Sequence, residues 1–181
     1  MNKTMLRHKI QSLRDNLDAD DRVVAQLHIL EHMVALVQHM HQPSLVVALY
    51  HPIKSEVNIL GVRALLPCYH YALPSTHGGI MHMHEWNPQT TLIEGAFGVM
   101  QPEPESVQVI PHLCIVPLLG FDRSGARLGY GKGYYDQYLA RHPQIIRIGV
   151  AFSCQEVHNI PMEAHDQRVH HIITETEVIT P

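Results

Sequence analysis

The sequence predicts an α/β fold: a mostly parallel sheet with helices on both faces. Three observations carry it. The first forty residues have helical spacing. The run Leu45-Val46-Val47-Ala48-Leu49-Tyr50 is continuously apolar over the length of one strand. Later the chain reads strand, glycine-rich loop, helix, strand. A continuous apolar run suits a strand buried on both faces, and such strands belong to parallel sheets. Alternation of strands with helices then places helices on the sheet's two faces.

Taken in order, the stretch to about Met40 predicts two helices. In the second, Val23, Val24, Leu27, Leu30, Val34 and Val37 recur at threes and fours, and Asp18 or Asp20 is available as its cap. Pro43-Ser44 marks a turn into the first strand. Glu56 to Leu66 predicts a short helix before Pro67, and His70 to Leu73 and Ile80 to Trp86 predict strands. Asn87 to Pro111 is mostly loop, punctuated by prolines at 88, 102, 104 and 111 and glycines at 95 and 98. A strand follows at Leu113 to Pro117, a helix from about Gly133 to Arg141, and a strand at Ile145 to Phe152.

Composition narrows the class. At 181 residues and 45% hydrophobic, the chain is expected to form one domain, residues 1–181, around one core. No run approaches the roughly 20 apolar residues of a membrane span, and Met1 to Arg7 is too polar for a secretory signal, so no membrane partner and a cytoplasmic location are expected. The formal charge of −4 leaves 16 histidines uncounted, and Lys and Arg are scattered, so a nucleic-acid partner is not expected. The three cysteines, Cys68, Cys114 and Cys154, contain no C-x-x-C pair and read as reduced thiols. His82-x-His84 would share a strand face and His170-His171 are adjacent, but no third ligand can be assigned and no transition metal is expected.

The segment Gly125-Ala126-Arg127-Leu128-Gly129-Tyr130-Gly131-Lys132-Gly133-Tyr134-Tyr135-Asp136 follows a strand and opens a helix. There, unpaired backbone N–H groups and the helix dipole favour an anion. Gly129, Gly131 and Gly133 let the backbone curl closely around a phosphate, and Arg127 and Lys132 add charge. It is not a Walker A loop, because Ala126 stands at the first glycine position and no Ser or Thr follows Lys132. Nor does it have the spacing of a dinucleotide fingerprint. By its chemistry alone the segment reads as a phosphate cradle or as a tight structural turn. Asp136 reads as a magnesium ligand carried on those phosphates or as a solvated helix carboxylate.

With its flank Ile115 to Gly125, this segment closely resembles the signature of the 5-formyltetrahydrofolate cyclo-ligases. Lys3 with Leu6-Arg7, Glu56, Trp86, Phe97-Gly98-Val99 before Pro102, and Pro161 to Asp166 follow in the family's order. The resemblance implies a three-layer Rossmann-like fold and ATP- and magnesium-dependent conversion of 5-formyltetrahydrofolate to 5,10-methenyltetrahydrofolate. It implies that Lys3, Arg7 and Arg127 through Tyr135 (Arg127, Leu128, Gly129, Tyr130, Gly131, Lys132, Gly133, Tyr134, Tyr135) bind ATP. Arg127 and Lys132 are then the catalytic cations, and Asp136 and Asp166 hold magnesium. Glu56 accepts hydrogen bonds from the pterin, with Tyr50 and Trp86 flanking it. The expected partners are small molecules and the expected state is a monomer.

The sequence departs from the family pattern at Gln101, where glutamate is common, and at His112, where aspartate is frequent. The segment between Glu56 and Pro74 is also short. Similar folds also serve other ATP- or sugar-phosphate-using enzymes and non-catalytic folate- or nucleotide-binding regulators.

Overall fold

The computed structural model describes residues 2–40 and 44–181, without the side chain of Phe97. The turn expected at Pro43 lies outside the described residues. Two helices open the chain, α1 (Lys3–Asp15) and α2 (Ala19–His39). Asp18 caps α2, its carboxylate accepting from the N–H groups of Asp20 and Asp21. The inward face of α2 is Ile29, Leu30, Met33 and Val37, whereas Val23, Val24 and Leu27 lie exposed. The apolar repeat thus marked the helix correctly, but its fully buried residues all lie in its second half.

Strands β1 (Val46–Ala48), β2 (His70–His77), β3 (Ile80–Glu85), β6 (Leu113–Pro117), β9 (Ile146–Val150), β10 (His171–Ile173) and β11 (Val178–Ile179) form one sheet in the order β11-β10-β9-β6-β1-β2-β3. The five inner strands are parallel; β3 and β11 run antiparallel at the edges. Strand alternation sorts the two faces. Val47, Leu49, Tyr71, Leu73, Leu113 and Ile115 meet α2 and the short α3 (Val62–Leu65). Ala48, Ala72, Cys114 and Val116 meet α4 (Tyr134–Arg141) through Tyr138 and Leu139. This is the three-layer arrangement with helices on both faces.

The structure corrects four expectations. The helix expected over Glu56–Leu66 is only Val62–Leu65. Before it, Val57 and Ile59 alternate inward in extended chain, and the Asn58 side chain accepts from Leu60 N at 3.1 Å. β2 runs on to His77 through Pro74. Proline is tolerated because β1 has ended on that side, its last bond there being Leu49 N to Ala72 O. The next outward N–H, on Thr76, donates to the Gln101 side chain at 3.0 Å. Within the long loop, β4 (Leu92–Glu94) pairs with β5 (Met100–Pro102). The glycine-rich segment holds a second small hairpin, β7 (Gly120–Phe121) with β8 (Arg127–Leu128).

The chain leaves β1 toward β2 through α3 on one face, and leaves β6 toward β9 through α4 on the other. β1 and β6 are neighbours. Their carboxyl ends therefore diverge and open a crevice, the switch point at which α/β sheets bind ligands. α1 closes one side of it, packing Leu6 and Ile10 against Ala126, Leu128 and Ile160.

Candidate active site

From β1 the chain enters the crevice as Tyr50 to Glu56. Tyr50 is buried and its hydroxyl donates to Val57 O at 2.8 Å, so it braces this segment from beneath. A turn brings Glu56 back on Ile53, whose N–H donates to Glu56 Oε2 at 2.9 Å. Burial raises the Glu56 carboxyl above its ordinary range. The Ile53 N–H, the Arg14 charge, the Tyr130 hydroxyl and the Lys54 charge offset part of that rise. Its carboxylate oxygens can accept further hydrogen bonds from a ligand rich in N–H groups.

From β6 the chain enters as the β7–β8 hairpin. Its turn is organised by the buried Asp122 carboxylate, which accepts from Ser124 and Ala126 and, at 2.8 Å, from Ile160 N. The glycine run follows. Gly131 and Gly133 have φ of +92° and +70°, the left-handed region, whereas Gly129 does not. At Gly131 a methyl group would also come within 3.2 Å of the Arg7 guanidinium. Gly133 caps α4, so the helix amino end faces the run. Leu128 turns its side chain into the α1 contact, and its carbonyl accepts from Leu119 N at 2.9 Å within the hairpin turn. Tyr134 and Tyr135 pack partly buried against the α4-side core.

Arg7, Arg127 and Lys132 gather at this loop, whereas Lys3, expected beside them, is engaged by carboxylates after β9. Arg7 Nε donates to Gly129 O at 2.8 Å, and Lys132 is exposed on the loop itself. Arg127 is held on two sides: Nη2 donates to Asp136 Oδ1 at 2.6 Å and Nε to Gln167 O at 3.2 Å. Lys3 Nζ meets Asp166 Oδ2 at 2.7 Å and Glu163 Oε1 at 2.8 Å, clipping the start of α1 to the chain after β9. Burial disfavours the charge on both Lys3 and Asp166, but their hydrogen bond and mutual attraction outweigh it. Lys3 is raised and Asp166 lowered from their ordinary values, so the ion pair persists at neutral pH.

Asp136 and Asp166 are neighbours through Gln167, whose N–H donates to Asp136 Oδ1 at 2.9 Å. The hydrogen bonds of the described residues fall on one oxygen of each carboxylate, Oδ1 of Asp136 and Oδ2 of Asp166. The two remaining oxygens, of which Asp166 Oδ1 lies 3.8 Å from His165 Nε2, suit a magnesium ion that arrives on phosphates and needs only one or two protein carboxylates. No group of three His, Cys, Asp or Glu side chains among the described residues forms a complete metal centre. His82 and His84 do share a face, but His84 Nδ1 lies 2.8 Å from Ser106 O.

The structure does not bring Trp86 to this group. Its N–H bonds Tyr71 O near the amino end of β2, whereas Tyr50 and Glu56 lie past the carboxyl end of β1. The Trp86 ring lies under the Arg63 guanidinium at 3.8 Å and lines a separate cavity of about 550 Å³ with Tyr69, Tyr71 and Leu60. Conversely, the site includes residues that no motif marked: Arg14, Ser55 and Gln167. Arg14 continues the Lys3–Arg7 face of α1 by two further turns, the one signal that pointed to it.

Comparison with known proteins identifies the family and the fold. Residues 1–175 match the model of the 5-formyltetrahydrofolate cyclo-ligase family. A 5-formyltetrahydrofolate cyclo-ligase of Haemophilus influenzae is 27% identical over 179 residues, 91% of this chain and 92% of that protein. One from Mus musculus is 27% identical over 191 residues, covering 96% and 93%. The solved structure of Aquifex aeolicus 5,10-methenyltetrahydrofolate synthetase superposes with a TM-score of 0.85 at 31% identity, covering 99% of this chain and 93% of that one. No described helix is long and apolar enough to cross a membrane.

Proposed function

Because this chain belongs to the 5-formyltetrahydrofolate cyclo-ligase family, we propose that it converts 5-formyltetrahydrofolate and ATP to 5,10-methenyltetrahydrofolate, ADP and phosphate. The observation that carries this reading is the meeting of two unlike half-sites at one switch point. One is a cationic glycine loop suited to a triphosphate; the other is a half-buried carboxylate, Glu56, suited to the pterin's N–H groups. We read it as a cytoplasmic monomer working on small molecules.

The chemical problem is that a formamide oxygen leaves poorly. In this mechanism the formyl oxygen attacks the γ-phosphorus and ADP departs. N10 then adds to the formyl carbon and gives up its proton to solvent, and phosphate leaves with the formyl oxygen. Protein groups act by position and charge. Glu56 accepts from the pterin's amino and ring N–H groups and fixes the folate. The glycine-loop N–H groups and Arg7 hold the phosphates in line. Arg127, restrained by Asp136 and Gln167 O, and Lys132 face the charge that develops on the transferring group. Lys3 holds Asp166 in place. Magnesium held by Asp136 and Asp166 would supply further neutralisation of phosphate charge. No nucleophilic side chain is required.

Oxygen labelling tests the order of bonds. With 18O in the formyl group, one labelled oxygen per turnover is expected in the inorganic phosphate, read by mass spectrometry. Unlabelled phosphate, with the label in water instead, would contradict phosphorylation of the formyl oxygen.

A further inference from the structure

Arg14 is completely buried, 0% exposed, yet it is charged. From α1 its guanidinium reaches both half-sites. Nη2 donates to the Tyr130 hydroxyl of the glycine loop at 2.8 Å. Nε donates to Ser55 Oγ at 2.9 Å, on the turn that presents Glu56. Arg22 closes the ring of contacts, donating to Ser55 O at 3.0 Å and to Arg14 O at 2.7 Å, and the Ser55 hydroxyl donates to Asp15. The third nitrogen, Arg14 Nη1, is buried with no hydrogen-bond partner among the described residues. A buried cation with an unpaired donor destabilises a fold, and packing alone would be better served by an apolar side chain. What an arginine provides here is a planar fork of fixed geometry, through which a movement at Tyr130 is felt at Ser55.

We propose that Arg14 is a positioning residue that couples the two half-sites, so that nucleotide on the glycine loop and folate at Glu56 strengthen each other's binding. The proposal rests on the functional reading above. Loop residues settling on a triphosphate fix Tyr130; Tyr130 fixes the Arg14 fork; the fork fixes the turn carrying Glu56. Coupling of this kind is reciprocal between the two ligands.

Calorimetric titration of the full chain tests it, using 5-formyltetrahydrofolate with and without a non-hydrolysable ATP analogue and magnesium. In the wild type the analogue is expected to tighten folate binding by at least about fivefold, and folate to tighten the analogue equally. Arg14→Gln and Tyr130→Phe should each reduce that factor to below about twofold, and combining them should remove no more. Should Arg14→Gln fail to fold, Ser55→Ala decides in its place, since it cuts the Arg14 fork from the turn carrying Glu56 and leaves the Tyr130 hydroxyl beside Glu56. A merely structural Arg14 would weaken both ligands and leave their ratio untouched. An unchanged factor in Arg14→Gln or in Ser55→Ala, or a wild type that turns over without coupling, overturns the proposal. A wild type that neither binds folate nor turns over overturns the functional reading and this proposal with it.

Discussion

Replacing Arg127 by alanine is expected to lower turnover by about a hundredfold to a thousandfold, the usual effect of removing a donor aimed at developing charge. The loss should fall on kcat, because Arg127 is held beside the loop before any ligand arrives, by Asp136 at 2.6 Å and Gln167 O at 3.2 Å. That restraint means the group need not reorganise during the reaction. It also means that the substitution has a second effect. Asp136 would lose its ion-pair partner, and breaking a buried pair costs about 3 kcal/mol or more. Thermal unfolding must therefore be followed beside the kinetics. Arg127→Lys, which keeps the charge but not the fork, should recover most of the stability and only part of the turnover. Turnover of Arg127→Ala within about threefold of wild type, measured well below its melting temperature, would contradict the assigned role.

Glu56→Gln is expected to act in the opposite way. It keeps the shape of the side chain but exchanges one acceptor oxygen for a donor, so the KM for folate should rise by about tenfold to a hundredfold with kcat nearly unchanged. Stability should move in the other direction. Burial raises the Glu56 carboxyl above its ordinary value, so between the unfolded and folded pKa values the native state binds more protons than the unfolded chain. The stability associated with this group is fully present below the unfolded pKa and is lost as pH rises through the folded one. The variant lacks that loss. Its melting temperature should exceed the wild type's at neutral pH and converge with it in acid. A fall in kcat with KM unchanged would refute the folate role, and a melting curve as pH-sensitive as the wild type's would refute the electrostatic one.

How far these residues could be found without coordinates follows from the kind of signal each leaves. β1 and β6 are buried on both faces and so read as unbroken apolar runs, Leu45 to Tyr50 and Leu113 to Pro117. β10 and β11 are 3 and 2 residues long and leave too little pattern to read. The β7–β8 hairpin is hidden because its glycines and Asp122 look alike whether they cradle a ligand or turn a strand. For Glu56, position relative to β1 was legible but conformation was not: the segment is extended because Val57 and Ile59 point inward. Trp86 shows the limit of carrying a role over by order alone. Its edge strand runs antiparallel, which sends it to the end of the sheet away from the crevice. Arg14 left one faint signal, its place on the Lys3–Arg7 face of α1; its partners Ser55 and Tyr130, distant in the chain, give it meaning.

The most direct test is to mix the purified chain with 5-formyltetrahydrofolate, ATP and magnesium and to follow the absorbance of the methenyl product. Product should accumulate in step with ADP, and none should form when ATP is withheld. Stable binding of both ligands without product, or product formed equally without ATP, would contradict the account.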